Sequence, residues 1–402
     1  MLVVKKFGGS SVADKERIFN VARRCIEDYE KGNDVVVVLS AMGKTTDGLI
    51  AKAHEINPNP PKRELDMLLV TGEQVSVALM AMAMSSLGVP AVSLNAAQVV
   101  MHTSSAYGSA KLKRIDVERI RHELESRRIV IVTGFQGINK YDDFTTLGRG
   151  GSDTTAVALA SALHADVCEI YTDVEGVYTA DPRVVPNARK LAEVSYDEML
   201  EFASLGAKVL HNRSVEMAKK YGVKLVVLSS LTRAEGTIVK EETKVERTLI
   251  SGVAADASVA RISVLGVENK PGITFRVFNL LAKNHINVDI IIQSVTEPGK
   301  KDISFTVAKI DLSDTMDLLR ENRESLTARE IVSEEGVAKL SVIGAGMCSN
   351  PGVAAKMFEA LYSADVNTEM IATSEIRITA LIDERDVKRA MRAVHDAFDL
   401  AD

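Results

Sequence analysis

The stretch Gly148-Arg149-Gly150-Gly151-Ser152-Asp153, followed at once by an apolar run, is the most informative part of this chain. Its three glycines let backbone amides approach a charged ligand, and Arg149 offers a forked donor to a carboxylate. Apolar residues then recur at spacings of three and four, which predicts a helix that buries one face and is capped by Ser152 and Asp153. Such a corner is typical of an anion-binding site. The alternative is a glycine-rich turn with a surface arginine.

Composition narrows the class of protein. The 402 residues suffice for two or three domains, 46% are hydrophobic and the net charge is -6. There is no basic stripe and no tryptophan, so a nucleic-acid partner is not expected. The N-terminus lacks the pattern of a signal peptide and no apolar stretch reaches the length of a membrane span, which predicts a cytoplasmic protein without membrane contact. The isolated Cys25, Cys168 and Cys348 indicate buried thiols rather than a disulfide framework or zinc site.

Up to about residue 230, short β-branched runs alternate with helical patterns. Residues 35–39, 129–132 and 225–228 are apolar throughout, which is typical of parallel strands covered on both faces by helices. The chain therefore begins with an α/β sandwich around a mostly parallel sheet. A charged stretch at 240–247 then predicts a solvated hinge.

After the hinge the sequence repeats itself. Pro271-Gly272 recurs as Pro351-Gly352, and Phe278, Leu281, Ile286 and Asn287 recur with the same displacement of 80 residues as Phe358, Leu361, Val366 and Asn367. The unit reads strand, Pro-Gly turn, helix, strand. Two α+β modules are therefore expected after the α/β domain.

A second glycine-rich corner follows the first strand. That strand is expected from Leu2 to Phe7, with Lys6 near its end and Gly8-Gly9 in the turn, so backbone amides can hold phosphate oxygens while Lys6 supplies a cation for phosphoryl transfer. The alternative is a tight strand-to-helix connection. Gly43-Lys44-Thr45-Thr46 is not a P-loop, because Val38 stands where that motif requires glycine.

Three further segments carry polar groups suited to ligands. The loop at 40–47 follows a buried strand, at the carboxyl end of the sheet where open α/β folds bind ligands. Gly72-Glu73 interrupts a helical pattern from 63 to 87, which indicates either close ligand approach with a carboxylate for an ammonium group, or helix packing. Residues 171–183 hold carboxylates, hydroxyls and an Asp-Pro turn that suit a nucleotide's ribose and base. The seven histidines form no metal-ligand pattern.

Taken together, these peptides resemble the aspartate kinases of the amino acid kinase superfamily. The motifs fall in the family's order over essentially the whole chain, and the C-terminal repeat resembles a pair of ACT domains, which have a ferredoxin-like α+β fold. The resemblance implies a catalytic domain at 1–245 and ACT domains at 246–335 and 336–402. The motifs that carry it are Lys6-Phe7-Gly8-Gly9-Ser10-Ser11, Ser40-Ala41-Met42-Gly43, Gly72-Glu73, Gly134-Phe135, Gly148 to Asp153 and Asp181-Pro182-Arg183.

By this resemblance the reaction is transfer of the γ-phosphoryl group of ATP, with Mg²⁺, to the β-carboxylate of L-aspartate. The product, 4-phospho-L-aspartate, enters lysine, threonine and methionine biosynthesis. Lys6, Asp153 and Arg149 would be catalytic, and Arg149 would bind the α-carboxylate of aspartate. The other substrate residues implied are Ser40, Thr46, Glu73 and Ser152; those for ATP are Lys6, Phe7, Gly8, Gly9, Thr172, Asp173, Tyr178, Asp181, Arg183 and Lys208. No metal ligand among the side chains is implied.

The resemblance also implies feedback regulation by lysine, alone or together with threonine. It implies a homo-oligomer, a dimer through the ACT domains, or assembly with a short ACT-only chain. One departure is Asn212, where many relatives carry proline. The effector contacts implied are Thr274, Asn287, Val288, Asp289, Gln293 and Ser294 in the first module, and Asn367, Thr368 and Glu369 in the second.

Other functions remain as alternatives. A glutamate 5-kinase or UMP kinase shares the superfamily but lacks such a paired repeat, and Arg149 with Glu73 suits an amino acid. An amino-acid-sensing protein with an inactive kinase domain is disfavoured because Lys6, Arg149, Asp153 and Asp173 are all present. No homoserine dehydrogenase domain is expected in this chain.

Overall fold

The computed structural model describes residues 1–205, 209–241, 249–347 and 350–401. Contacts divide these residues into two compact units. The first unit contains residues 1–177, 190–204 and 209–241, and the second contains 178–189 and Leu205 together with the described residues from 249 onward. The predicted hinge therefore lies largely outside the described residues, as do Lys208 and Cys348.

The first unit alternates strands and helices, as predicted. Its strands are β1 (Leu2–Phe7), β2 (Asp34–Leu39), β3 (Ala91–Leu94), β4 (Met101–Thr103), β5 (Leu112–Ile115), β6 (Ile129–Thr133), β7 (Gln136–Ile138), β8 (Phe144–Thr146), β9 (Val167–Thr172), β10 (Glu193–Ser195), β11 (Leu225–Ser229) and β12 (Thr237–Lys240). Its helices are α1 (Lys15–Glu30), α2 (Thr45–Ile56), α3 (Lys62–Leu69), α4 (Thr71–Ser86), α5 (Glu118–Glu125), α6 (Gly151–Leu163), α7 (Tyr196–Ser204) and α8 (Asn212–Tyr221).

Eight strands form the central sheet in the order β10-β12-β11-β9-β1-β2-β6-β3. Its neighbours pair in parallel except β11 with β12. The three apolar runs singled out in the sequence are β2, β6 and β11, and every residue of β6 is buried. Helices α1 and α4 pack on β2 and β6 around Val21, Val37 and Met80. The predicted sandwich with a mostly parallel sheet is confirmed.

Successive residues of β1 carry their side chains to different helices. Lys5 forms ion pairs with Asp28 of α1 and with Glu169 of β9, whereas Lys6 forms an ion pair with Asp153 of α6. Because successive side chains of a strand point to opposite faces, α1 and α6 lie on opposite faces of the sheet. The glycine-rich stretch at 148–153 therefore serves the face that Lys6 occupies.

Helix α6 differs from the prediction in two respects. It begins at Gly151 with the left-handed Gly150 (φ 67°) as its N-cap residue, and no side chain caps it, so the prediction that Ser152 and Asp153 cap the helix is wrong. Both residues lie in its first turn. The prediction of one buried face is also wrong, because every residue from Gly151 to Ala160 is buried. Sheet contacts on one side and α8 on the other explain this burial.

Helices α3 and α4 together form a 25-residue run, Lys62–Ser86, that is long and apolar enough to cross a membrane by length and composition. The expectation that no stretch reaches this length is therefore wrong. Half of the most apolar window is buried inside the protein, and Val77, Met80 and Met84 of α4 belong to the sheet's core. A core helix of a globular protein passes the same test, so the run is weak evidence for a membrane.

The second unit contains two four-stranded antiparallel sheets, β15-β16-β14-β17 and β13-β18-β20-β19. Its strands are β13 (Gly252–Asp256), β14 (Val259–Glu268), β15 (Ile291–Glu297), β16 (Lys300–Ala308), β17 (Glu330–Glu334), β18 (Val337–Ile343), β19 (Met370–Thr373) and β20 (Arg377–Asp383). Its helices are α9 (Ile273–Lys283), α10 (Leu312–Glu321), α11 (Val353–Ser363) and α12 (Val387–Ala397).

The predicted repeat is confirmed by its turns. Gly272 and Gly352 are the N-cap residues of α9 and α11, with φ of 94° and 100°, and glycine adopts this left-handed conformation without strain. Strand β13 precedes the first module in sequence yet pairs with β18 of the second sheet. Strand β13 therefore lies in the range 246–335 expected for the first module but belongs to the sheet of the second.

Candidate active site

Lys6 and Asp153 join the two glycine-rich corners. The Lys6 ammonium lies 2.6 Å from a carboxylate oxygen of Asp153, and both side chains are almost nine-tenths buried. Lys6 is the second-last residue of β1 and Asp153 lies in the first turn of α6, so the sheet and the helix N-terminus fix the pair. Two residues predicted as catalytic are thus neighbours.

The glycine turn after β1 packs against the loop that follows β2. A Cβ atom on Gly9 would come within 2.6 Å of the Ala41 carbonyl oxygen, and the Gly43 amide donates a hydrogen bond to the Gly9 carbonyl at 2.9 Å. Gly9 is therefore required for loop packing. At Gly8, a Cβ would lie 3.7 Å from the Lys6 ammonium, so its backbone faces that cation. The Phe7 ring is fully buried and stacks on Tyr171 at 4.3 Å, which leaves Phe7 only its main chain for a ligand.

Ser40, Ser152 and Glu73 gather at the carboxyl ends of β2 and β6. The Ser40 hydroxyl donates to the Ser152 hydroxyl at 3.0 Å. One carboxylate oxygen of Glu73 accepts from the Ala41 amide at 3.0 Å, while the other has no hydrogen-bond partner among the described residues. Burial raises the pKa of Glu73 to about 7. A buried carboxylate with one free oxygen is suited to an ammonium ligand.

The packing of α4 against the loop at 40–47 explains why residue 72 is a glycine. A Cβ there would come within 2.9 Å of the Ala41 side chain, so a larger residue would push α4 away from this loop. This supports the packing interpretation of Gly72 rather than close approach of a ligand.

Arg149, Thr46 and Ser40 are the accessible residues of the predicted substrate set. Arg149 is exposed and has no hydrogen bond or ion pair to any described residue, so its guanidinium fork is available. Thr46 is half-buried in the first turn of α2. Sequence reasoning missed Arg213, whose guanidinium donates to the carbonyls of Leu147 and Ala110 at 3.0 Å each and so holds the chain just before Gly148.

The residues predicted to bind ATP are divided between the two units. In the first unit, the Thr172 hydroxyl donates to the exposed Asp173 carboxylate at 2.9 Å, and the Thr172 carbonyl accepts from the Ser230 amide. In the second unit, Asp181 forms an ion pair with Arg183 at 2.8 Å, and hydrogen bonds from Arg183 hold the pKa of Asp181 below its usual range. Tyr178 is half-buried in the same segment.

Sequence reasoning also missed a buried charge cluster below the active-site face. Lys5 is 1% exposed and contacts Asp28, Glu169 and the Tyr171 hydroxyl at 2.6, 2.5 and 3.2 Å. Burial alone would lower the pKa of Lys5, but Glu169 and the other partners outweigh burial, so the pKa of Lys5 is raised above its usual value. No periodicity marks the cluster, because its members come from three elements. The cluster connects β1, which carries Lys6, to β9, which ends at Thr172.

The predicted effector residues of the first module form two separate groups. In one, the Thr274 hydroxyl donates to Gln293 at 2.9 Å and accepts from the ammonium of Lys301 at 3.0 Å. Lys301 is 6% exposed and was missed by sequence reasoning. Asn287 and Ser294 are exposed, and Val288 packs on the module's core.

The other group is an ion pair with the second module. Asp289 contacts the ammonium of Lys339, which lies in β18 and is 4% exposed, at 2.6 Å. In the second module, Glu369 contacts Arg261 of β14 at 3.0 Å, while Asn367 is exposed and Thr368 half-buried. Both acids follow a module's first helix, and both cations lie in the strand before it. Each module therefore supplies a cation to the acid of the other.

Comparisons with known proteins agree with this architecture. The amino acid kinase family model matches residues 1–229, and ACT domain models match residues 260–324 and 340–398. Fold and site thus define an amino acid kinase with two ACT domains. An aspartokinase of Bacillus sp. strain MGA3 is 52% identical, covering 100% of this chain and 98% of the relative, and one of Corynebacterium glutamicum is 50% identical, covering 99% and 96%.

Solved structures of aspartate kinases also match this chain over nearly its full length. E. coli aspartokinase III in complex with aspartate and ADP superposes with a TM-score of 0.85 at 28% identity, covering 99% of both chains. Aspartate kinase from Synechocystis is 44% identical with a TM-score of 0.57, and this chain covers 69% of it. The chain belongs to the aspartokinase family and is an ATP-dependent aspartate kinase.

Proposed function

We propose that the chain transfers the γ-phosphoryl group of ATP to the β-carboxylate of L-aspartate, giving 4-phospho-L-aspartate for lysine, threonine and methionine biosynthesis in the cytoplasm. The observation that carries this proposal is the Lys6–Asp153 ion pair between the two glycine-rich corners. Asp153 orients the Lys6 ammonium toward the transferring phosphoryl group, and Lys6 offsets the negative charge there. The acceptor is already a carboxylate, so positioning and charge neutralisation suffice.

Three residues recognise aspartate in this proposal. The free fork of Arg149 binds the α-carboxylate in bidentate fashion, and the unpartnered oxygen of Glu73 accepts from the α-ammonium. Ser40, Ser152 and Thr46 line the pocket between them. The E. coli relative solved with aspartate and ADP supports a site for both ligands in this family.

ATP binds through the backbone of residues 7–9 and through Lys6, Thr172 and Asp173, together with Tyr178, Asp181, Arg183 and Lys208. Mg²⁺ is held by the phosphates of the nucleotide. When bound, it offsets phosphate charge.

The two ACT modules regulate this activity by binding lysine, with or without threonine. Thr274, Gln293 and Asp289 are the central contacts in the first module. Glu369 occupies the equivalent place in the second, where Arg261 already neutralises it. A structure of E. coli aspartokinase III in complex with lysine and aspartate supports an amino acid effector.

Assembly and domain limits complete the proposal. The catalytic domain ends near residue 245 and the ACT domains divide near 335, with β13 contributed to the second sheet. The protein assembles as a dimer through its ACT domains or with a short ACT-only chain. Size measurement by light scattering with and without lysine tests this.

A coupled assay tests the activity. We expect ADP release that depends on L-aspartate and is inhibited by lysine, alone or with threonine. Release with L-glutamate or UMP but not with aspartate would contradict the proposal, and ATP turnover absent with all acceptors would favour a sensing protein.

A further inference from the structure

The segment 178–189 carries three predicted nucleotide residues, yet it packs within the second unit. Its apolar side chains Ala180, Val185 and Ala188 are buried in one core with residues of the second ACT module, among them Met357 and Leu400. The Arg392 guanidinium donates to the Val184 carbonyl at 2.8 Å, and Ala188 forms an antiparallel bridge with Ala401. Helix α12 and the residues after it therefore hold this segment.

Thr179 lies at the centre of these contacts. Its amide donates to the Arg189 carbonyl at 2.8 Å, and its carbonyl accepts from the Val253 amide at 2.7 Å. Its hydroxyl lies 3.0 Å from the Arg189 amide, 3.0 Å from Nε2 of His395 and 3.1 Å from the Leu400 carbonyl. Thr179 and His395 are both 0% exposed. One hydroxyl thus joins the two ends of the segment to α12 and to the residues that follow it.

The hydrogen positions in this network follow from the requirement that every donor and every acceptor has a hydrogen-bond partner. A hydroxyl has one hydrogen and two lone pairs. The Leu400 carbonyl can only accept, so it takes the hydroxyl hydrogen, and the Arg189 amide donates to one lone pair. Nε2 of His395 must then carry a hydrogen and donate to the other lone pair. Nε2 of His395 is therefore a hydrogen-bond donor in the interior of the module, where burial lowers the pKa of the ring.

We propose that Thr179 and His395 are positioning residues through which the second ACT module sets the place of Asp181 and Arg183 for the nucleotide. The inference rests on the proposed assignment of Asp181 and Arg183 to ATP. Asp181 follows Thr179 by two residues, so a shift of Thr179 moves the Asp181–Arg183 pair directly. Neither positioning residue touches ATP. Their loss is expected to act on nucleotide binding and to leave the aspartate contacts unchanged.

The test uses the full chain with Thr179→Val, which keeps the shape and removes the hydroxyl, and His395→Leu. Each substitution is expected to raise KM for ATP about tenfold, which corresponds to the loss of one buried hydrogen bond. KM for aspartate and kcat are expected to stay within about twofold of the parent values. Thr179→Ser restores the hydroxyl and is expected to restore KM. The matched control is Thr379→Val, which removes an equally buried hydroxyl, paired with Ser341 at 2.7 Å, from the same module.

Arg183→Ala separates the inference from the assignment on which it rests. If Arg183→Ala raises KM for ATP but Thr179→Val changes only thermal stability, as Thr379→Val does, the positioning role is wrong. If Arg183→Ala and Asp181→Ala both leave KM for ATP unchanged, the nucleotide assignment itself is wrong.

Hydrogen exchange provides a second measurement, which does not require catalytic turnover. In Thr179→Val the Arg189 amide, which loses its acceptor, is expected to exchange faster while amides of β18 and β20 keep their protection. Unchanged exchange at Arg189 would overturn the anchoring role. If Thr179→Val does not fold, Thr179→Ala and His395→Gln, which retains a donor in place of Nε2, are compared in the same way.

Discussion

The ammonium of Lys339 lies 2.6 Å from the Asp289 carboxylate, so one ACT module neutralises the acid on which the other is expected to bind an effector. Asp256 lies 3.5 Å from the same ammonium. Lys339 is buried and held from two sides, whereas the Asp289 side chain is 40% exposed. An amino acid effector that uses Asp289 must therefore compete with Lys339 for it, which couples effector binding to the contact between the modules.

This competition predicts opposite effects for the two partners. Lys339→Met is expected to make the enzyme more sensitive to lysine, because Asp289 loses its internal cation. Asp289→Ala is expected to abolish most inhibition while uninhibited turnover stays near that of the parent. The measurement is an inhibition curve at fixed ATP and aspartate.

Lys309→Met is the control, because it removes another lysine of the second unit, paired with Glu384 at 2.7 Å and far more exposed. Its inhibition curve is expected to match the parent's. Superimposable curves for Asp289→Ala and a clearly inhibited parent would remove Asp289 from the effector site.

The sequence predicted what local pattern determines. Apolar β-branched runs identified β2, β6 and β11, and a constant displacement of 80 residues identified the repeat, because burial on both faces of a sheet and duplication leave direct traces in sequence. The sequence also singled out the two glycine-rich corners that hold Lys6 and Asp153, although not the ion pair between these residues. The mostly parallel sheet brings such corners to one edge.

Long-range partners could not be predicted. Nothing near Lys339 in the sequence indicates that it pairs with Asp289, and β13 joins a sheet whose next strand begins 81 residues after β13 ends. Residues 178–189 have the composition of a nucleotide loop, yet their apolar residues pack with α12. The glycine at the N-cap of α6 is required by His211, which a Cβ at Gly150 would approach to 2.2 Å. Each of these features is set by tertiary contacts rather than by period or propensity.

Lys6→Ala tests the reaction centre. We expect turnover to fall by about a hundredfold or more, because a cation at a phosphoryl-transfer centre stabilises the transition state by several kcal/mol. Thermal stability is also expected to fall, since the largely buried Asp153 loses its counter-ion. Lys44→Ala is the control: it lies in the loop that resembles a P-loop, is exposed, and is expected to change turnover less than twofold. Turnover of Lys6→Ala within threefold of the parent would contradict the role of Lys6.

Arg149→Lys tests recognition of the α-carboxylate. An ammonium cannot reproduce the planar fork, so KM for aspartate is expected to rise with KM for ATP unchanged. Stability should stay within about 0.5 kcal/mol of the parent, as for exposed surface substitutions, because Arg149 has no partner among the described residues. Arg233→Lys, an exposed arginine paired with Glu27, serves as the control. A rise in KM for ATP alone would assign Arg149 to the nucleotide.

Glu73 predicts how stability and substrate affinity depend on pH. Burial raises its pKa to about 7 from 4.5, so between these values the folded protein holds a proton that the unfolded chain releases. The free energy of unfolding therefore falls as pH rises from 4.5 to 7, by about 3 kcal/mol in total. Glu73→Gln stays neutral and is expected to be more stable than the parent above pH 7, with the difference vanishing near pH 4. Denaturant unfolding across this range measures the difference in stability, with the exposed Glu55→Gln as control.

The affinity for aspartate should depend on pH in the opposite way, because the α-ammonium of aspartate binds the charged form of Glu73. KM for aspartate is expected to rise as pH falls below 7 in the parent and to be high at every pH in Glu73→Gln. A parent KM that is flat between pH 6 and 8 would show that the aspartate ammonium binds elsewhere.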